Sequence, residues 1–173
     1  MRRCLVSFLT LYLLWAVVAQ VNQSLAPWHI YFFVGGLFIT YPALVLPSRA
    51  GLAANLLGGL MLDAVTPVPF GLHAALFAVA HLLIFNIRDR VPRDDTITRV
   101  VVALLANLGL FLVFSFLEIT RIRAPGAAWP RLVCDLLCSQ VFLALIGPWF
   151  FALQQAVDTR PWSRRGAFEL EYE

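Results

Sequence analysis

The stretch Gly58-Gly59-Leu60-Met61-Leu62-Asp63-Ala64-Val65-Thr66-Pro67-Val68-Pro69-Phe70-Gly71-Leu72-His73-Ala74-Ala75-Leu76 sets one acidic residue, Asp63, inside an apolar run and then breaks the chain. An ionised carboxylate in hydrocarbon is expensive, so such a residue faces a bundle interior or a wet cavity and marks a candidate functional position. Thr66-Pro67 and Pro69-Phe70-Gly71 cannot continue a helix, and an irregular turn exposed to lipid would leave backbone groups without partners. The turn therefore belongs at the membrane interface or against protein, with Asp63 near its edge.

The rest of the chain agrees with a membrane setting. Of 173 residues, 61% are hydrophobic and 13% charged, with a mean hydropathy of +0.81. A soluble domain is about half apolar. All 13 basic residues are arginine, and nothing in their spacing suggests nucleic-acid binding. The net charge of +3 is gathered at the ends of apolar segments, where topology signals sit. Cys134 and Cys138 lie one helical turn apart, poor geometry for a disulfide, and read as small apolar helix residues, as does Cys4.

Six apolar runs approach the length of about 17–25 residues that crosses a bilayer: Leu5–Val21, Ile30–Leu46, Gly51–Val65, Leu72–Ile87, Val100–Leu117 and Leu132–Leu153. The expected fold is all-α, a polytopic membrane bundle of about six transmembrane helices over residues 1–157, with a short cytoplasmic tail at 158–173. The third and fourth runs are slightly short. They span a thinned bilayer or form a re-entrant hairpin, and two spans are preferred. The first run, after Arg2-Arg3 and ending near Val17-Val18-Ala19, also resembles a secretory signal. Its length and its Tyr12 and Trp15 favour a retained span.

Orientation follows from arginine. With the N-terminus inside, the inner loops hold ten arginines (2, 3, 49, 88, 90, 93, 99, 160, 164 and 165) against three outside (121, 123 and 131). This positive-inside bias puts both termini in the cytoplasm.

Gly51, Asn55, Gly59 and Asp63 recur every four residues along one helix face, a stripe that lets a neighbouring helix approach and adds interhelical hydrogen bonding. His73 and His81 share a face of the next run. Asn107, Phe111, Ser115 and Glu118 form a stripe in the fifth run, and Asp135 and Ser139 stand one turn apart in the sixth. In the six-span topology Asp63, His73, Glu118 and Asp135 share the outer layer with Arg121, Arg123 and Arg131. The expectation is a polar outer cavity or docking surface built around Asn55, Gly59, Asp63, Pro69, Gly71, His73, Glu118 and Asp135. Gly35 and Gly36 in the second run, and Gly58 and Gly59 in the third, are candidate seams for docking a partner helix. No catalytic motif, activated nucleophile or metal-ligand spacing is present in the sequence, so no enzyme activity, cofactor or metal is expected.

Gly59-Leu60-Met61-Leu62-Asp63, followed by Pro69-Phe70-Gly71-Leu72-His73-Ala74-Ala75-Leu76 and set among six short spans, resembles the bacterial rod shape-determining protein MreD family. The family pattern, roughly G-x-x-x-D, a short gap, then small-x-G-x-x-A-L, is met at Gly59, Asp63, Gly71, Ala75 and Leu76. The span layout covers most of the chain, whereas the motif covers only about residues 58–76. The resemblance implies a non-enzymatic component of the cell-wall elongation machinery (the elongasome of lateral peptidoglycan synthesis) in the bacterial inner membrane. Its implied role is regulation of cell shape by binding MreC, a single-span protein with a periplasmic domain. MreB, RodZ, RodA and a transpeptidase are implied members of the same complex. The implied fold is similar to the S components of energy-coupling-factor transporters, which open a cavity outward. An S-component-like subunit that binds a small molecule for uptake is the alternative. Against it, the first run has only Ala16 and Ala19 where S components carry an A-x-x-x-A docking stripe.

Overall fold

The computed structural model describes residues 2–28, 30–66, 68–90, 95–119 and 125–159, with side chains at these positions except 2–7, 118, 125–128, 158 and 159. The described chain is all-helical: α1 (Arg2–Leu25), α2 (Gly35–Val45), α3 (Ser48–Asp63), α4 (Leu72–Ile87), α5 (Thr96–Ile119) and α6 (Pro125–Thr159). Short 3-10 turns follow α1 (Ala26–Trp28) and α4 (Arg88–Arg90). Among the described residues four helical stretches, Phe8–Trp28, Leu72–Arg90, Thr96–Leu117 and Trp129–Val157, are long and apolar enough to cross a membrane. This is the build of a multi-pass membrane protein.

The second apolar run departs from its expected form. It is helical only from Gly35; Ile30 to Val34 run without helix into α2. Partly buried peptide groups outside a helix need partners, and side chains of other helices supply them. The Asn22 amide accepts from Phe32 N–H at 2.8 Å and donates to Phe32 C=O at 3.0 Å. Asp135 Oδ1 accepts from Tyr31 N–H at 3.0 Å, and Ser139 Oγ accepts from Phe33 N–H at 2.9 Å. Asn107 Oδ1 then accepts from Gly36 N–H at 3.0 Å in the first turn of α2.

α2 occupies the centre of the bundle. Every residue from Gly35 to Leu44 is buried, and the helix touches α3, α4, α5 and α6. A helix apolar all round has that fate. Its Thr40 hydroxyl bonds back to Gly36 C=O, and its Tyr41 OH donates to Gln154 C=O on α6. Pro47 ends the run and leads into α3. Around α2, helix α3 packs chiefly on α4, and α5 on both α2 and α6, while α1 closes the ring against α3 and α6. Phe38, Phe77, Leu143 and Phe151 are among the core residues. The outward faces are apolar: Val79, Leu82 and Leu83 on α4, Leu105 and Phe116 on α5, and Leu137, Val141 and Leu145 on α6 are all exposed, as lipid-facing positions should be.

Where α4 ends, Arg88 donates to Leu46 C=O at 3.2 Å, and its guanidinium lies 3.7 Å over the Phe85 ring. Asp95 opens α5 by accepting from Ile97 and Thr98 N–H. The Thr98 hydroxyl, followed by the Ile97 N–H, holds the Asp95 carboxyl below its ordinary range.

Candidate functional site: the Asp63 joint and the cavity beside it

Asp63 is the last residue of α3 and is 4% exposed. Its Oδ2 accepts from Gly71 N–H at 3.0 Å and Ala74 N–H at 3.2 Å, and its Oδ1 from His73 N–H at 2.9 Å and His73 Nδ1 at 2.8 Å. One carboxylate thus covers the amide groups that α4 leaves unpaired at its start, where the helix dipole also favours negative charge. Gly71 has φ 95°, a left-handed conformation that lets the chain swing into α4 over the carboxylate. Pro69 is exposed in the turn, and its carbonyl accepts from Leu72 N–H at 3.1 Å.

The approach depends on Gly59. A Cβ there would stand 2.5 Å from Ala74 Cα and 2.6 Å from Ala74 N. One turn further down, Asn55 Nδ2 lies 2.8 Å from His81 Nδ1, both residues buried. A Cβ on Gly51 would meet Pro42 C=O and His81. The stripe read from the sequence is therefore the α3–α4 seam, with two polar rungs, Asp63–His73 and Asn55–His81.

The candidate docking seams have the same internal fate. Gly35 is closed by Phe33 and Leu110, Gly36 by Ala103 C=O and Asn107, Gly58 by Phe38, and Gly59 by α4. All four are buried. These glycines seat the chain's own helices, so their assignment to a partner is corrected to internal packing.

A cavity of about 880 Å³ opens beside the joint, walled by α1, the Ile30–Val34 segment, the start of α2, the α3–α4 turn with His73 of α4, α5 and α6. Its lining is rich in rings, among them Trp15, Tyr31, Phe33, Phe38, Phe111 and Phe114, with Asn22, Gln23, Thr66, His73, Ser115, Arg131 and Asp135 as polar members. Of the residues expected in one outer layer, His73, Asp135 and Arg131 meet here. Asp63 stands behind His73, and Asn55 lies away on the second rung. Asp135 is 6% exposed and has Arg131 Nε at 3.9 Å, but its carboxylate also grips Tyr31 N–H and so has a backbone-holding task. The side chain of Glu118, with Arg121 and Arg123, lies outside the described residues.

Sequence reasoning missed Asn22, the residue that pairs with both the backbone N–H and the backbone C=O of Phe32. An amide at the end of an apolar run offers no periodic signal. Its only mark is polarity at the end of an otherwise apolar helix. No family model, no curated protein and no solved structure matches this chain.

Proposed function

We propose that the chain is a polytopic scaffold of MreD type in the bacterial inner membrane. It crosses six times, keeps both termini in the cytoplasm, and serves regulation of cell shape by binding an MreC-like single-span protein within the elongation machinery. The S-component-like architecture belongs to this proposal. The observation that carries it is the α3–α4 joint: Gly59, Asp63 and Gly71, the spaced residues behind the family resemblance, act together in one piece of structure. Chance matches of glycine and aspartate have no reason to converge on one cap.

Six crossings are physically reasonable despite the short second and third helices. The 11 residues of α2 rise about 16 Å, and the five-residue lead-in adds roughly another 16 Å, enough for a core of about 30 Å. The 16 residues of α3 reach about 24 Å, close to a span in a locally thinned bilayer. Because the glycine seams are filled from within, a partner helix has the outward apolar faces of the bundle to meet. The test is deletion of the gene in its own host, with affinity capture of the tagged protein. Loss of rod shape, restored by the wild-type gene, together with capture of a single-span partner bearing a periplasmic domain, is expected. Unchanged shape and wall insertion after deletion would overturn the scaffold reading.

The aromatic-lined cavity favours a second reading, a membrane subunit that binds a small molecule for uptake. Copurification of a stoichiometric small molecule would select it.

A further inference from the structure

His73 is 6% exposed, lines the cavity, and is held at Nδ1 by Asp63 Oδ1 at 2.8 Å. A carboxylate only accepts, so the proton of this bond belongs to His73 Nδ1. In the neutral ring Nε2 is then an acceptor, and no described residue donates to it. The ring is also fixed in direction: Phe114 lies against it with centroids 4.4 Å apart, and Phe77 stands edge-on at 6.2 Å. Asp63 is itself tied down by three backbone N–H groups, so the acceptor is preorganised rather than free to turn away. Phe33, Phe38, Phe111 and Trp15 line the same cavity. A mostly apolar cavity of about 880 Å³ with few placed polar groups has the size and make-up of a small-molecule site.

We infer that this cavity binds a flat aromatic molecule carrying one hydroxyl or N–H donor, its ring among the phenylalanines and its donor on His73 Nε2. The site rests on the cavity alone and holds for a scaffold as for an uptake subunit. A failure here leaves partner capture, the test of the scaffold, untouched.

The experiment uses full-length protein in lipid nanodiscs with 15N-labelled histidine. The chain has three histidines, and the His73 signals are assigned by their loss in His73→Gln. The probes are 2-naphthol and 2-methylnaphthalene, which share a ring system and differ in the donor. The expected result is a saturable upfield shift of the unprotonated His73 Nε2 resonance with 2-naphthol only, and binding about five- to tenfold tighter than for the methyl compound, the worth of one neutral hydrogen bond. Absence of a saturable Nε2 response to 2-naphthol in the wild-type protein would overturn the site. Equal saturation by both probes would also overturn it, because it would mark an apolar crevice without donor recognition.

Discussion

Asn22 and Phe32 form a pair in which one side-chain amide satisfies both backbone polar groups of a residue, donating to its carbonyl and accepting from its N–H. The amide acts as a missing neighbouring strand would, and it ties α1 to the segment that leads into α2. Asp135 and Ser139 hold the flanking peptides from α6. Five residues of non-helical chain are thereby kept within a helical bundle without a sheet.

Asn22→Leu is expected to destabilise the protein by about 1–3 kcal/mol, since it leaves the half-buried N–H and C=O of Phe32 without their partner. Gln23→Leu, one residue further on at an exposed position, is expected to have little effect. Thermal unfolding of the two variants in the same detergent makes the comparison.

Asp63→Leu is expected to cost more than Asp135→Leu, although leucine suits a bilayer better than aspartate. Among the described residues the Asp63 carboxylate takes four hydrogen bonds, whereas that of Asp135 takes one, from Tyr31 N–H, beside an exposed arginine. Asp63→Asn keeps one acceptor oxygen and should fall between wild type and Asp63→Leu. Melting temperature, with rescue of cell shape in a deletion strain, reads the order. A normal level of Asp63→Leu protein with full rescue would refute it.

Gly58 and Gly59 are neighbours with opposite expected responses to alanine. At Gly59 the new methyl meets the backbone of Ala74, which cannot swing aside, and a loss of about 1–3 kcal/mol is expected. At Gly58 the nearest atom is Phe38 Cδ1 at 3.5 Å, an ordinary contact, so the helix propensity of alanine should leave stability unchanged or raised by up to about 1 kcal/mol. Equal melting temperatures for the two variants would show that the α3–α4 seam is not this tight.

Reporter fusions check the crossing pattern. A reporter active only in the periplasm should be active after Thr66 and inactive after Arg90 and Glu173, following the arginine asymmetry. Activity after Glu173 would remove the even crossing number.

The sequence made some of this architecture legible and hid the rest for a physical reason. The α3–α4 turn could be placed because Pro67, Pro69 and Gly71 act locally, and Asp63 because a lone carboxylate in an apolar run must find donors. The lead-in to α2 could not. Ile30-Tyr31-Phe32-Phe33-Val34 is a run of aromatic and β-branched residues, and a short apolar run reads alike as buried helix or extended chain. What decides its form are donors and acceptors 71 to 106 residues away on α5 and α6, as well as Asn22. Asn107 and Ser139 stood out as polar positions on apolar stripes, but nothing local named their targets. The glycine seams were visible as small-residue faces, while the identity of the helix filling each one depends on tertiary packing.

That dependence on distant partners has a consequence for biosynthesis. When the ribosome has delivered residues 30–45 to the membrane, Asn107, Asp135 and Ser139 do not yet exist. The peptide groups of Tyr31, Phe33 and Gly36 must meanwhile be satisfied by water, by the insertion machinery or by a temporary helical form. The central element of the finished bundle is therefore an early product of translation that reaches its final shape last, once α5 and α6 have arrived to hold it.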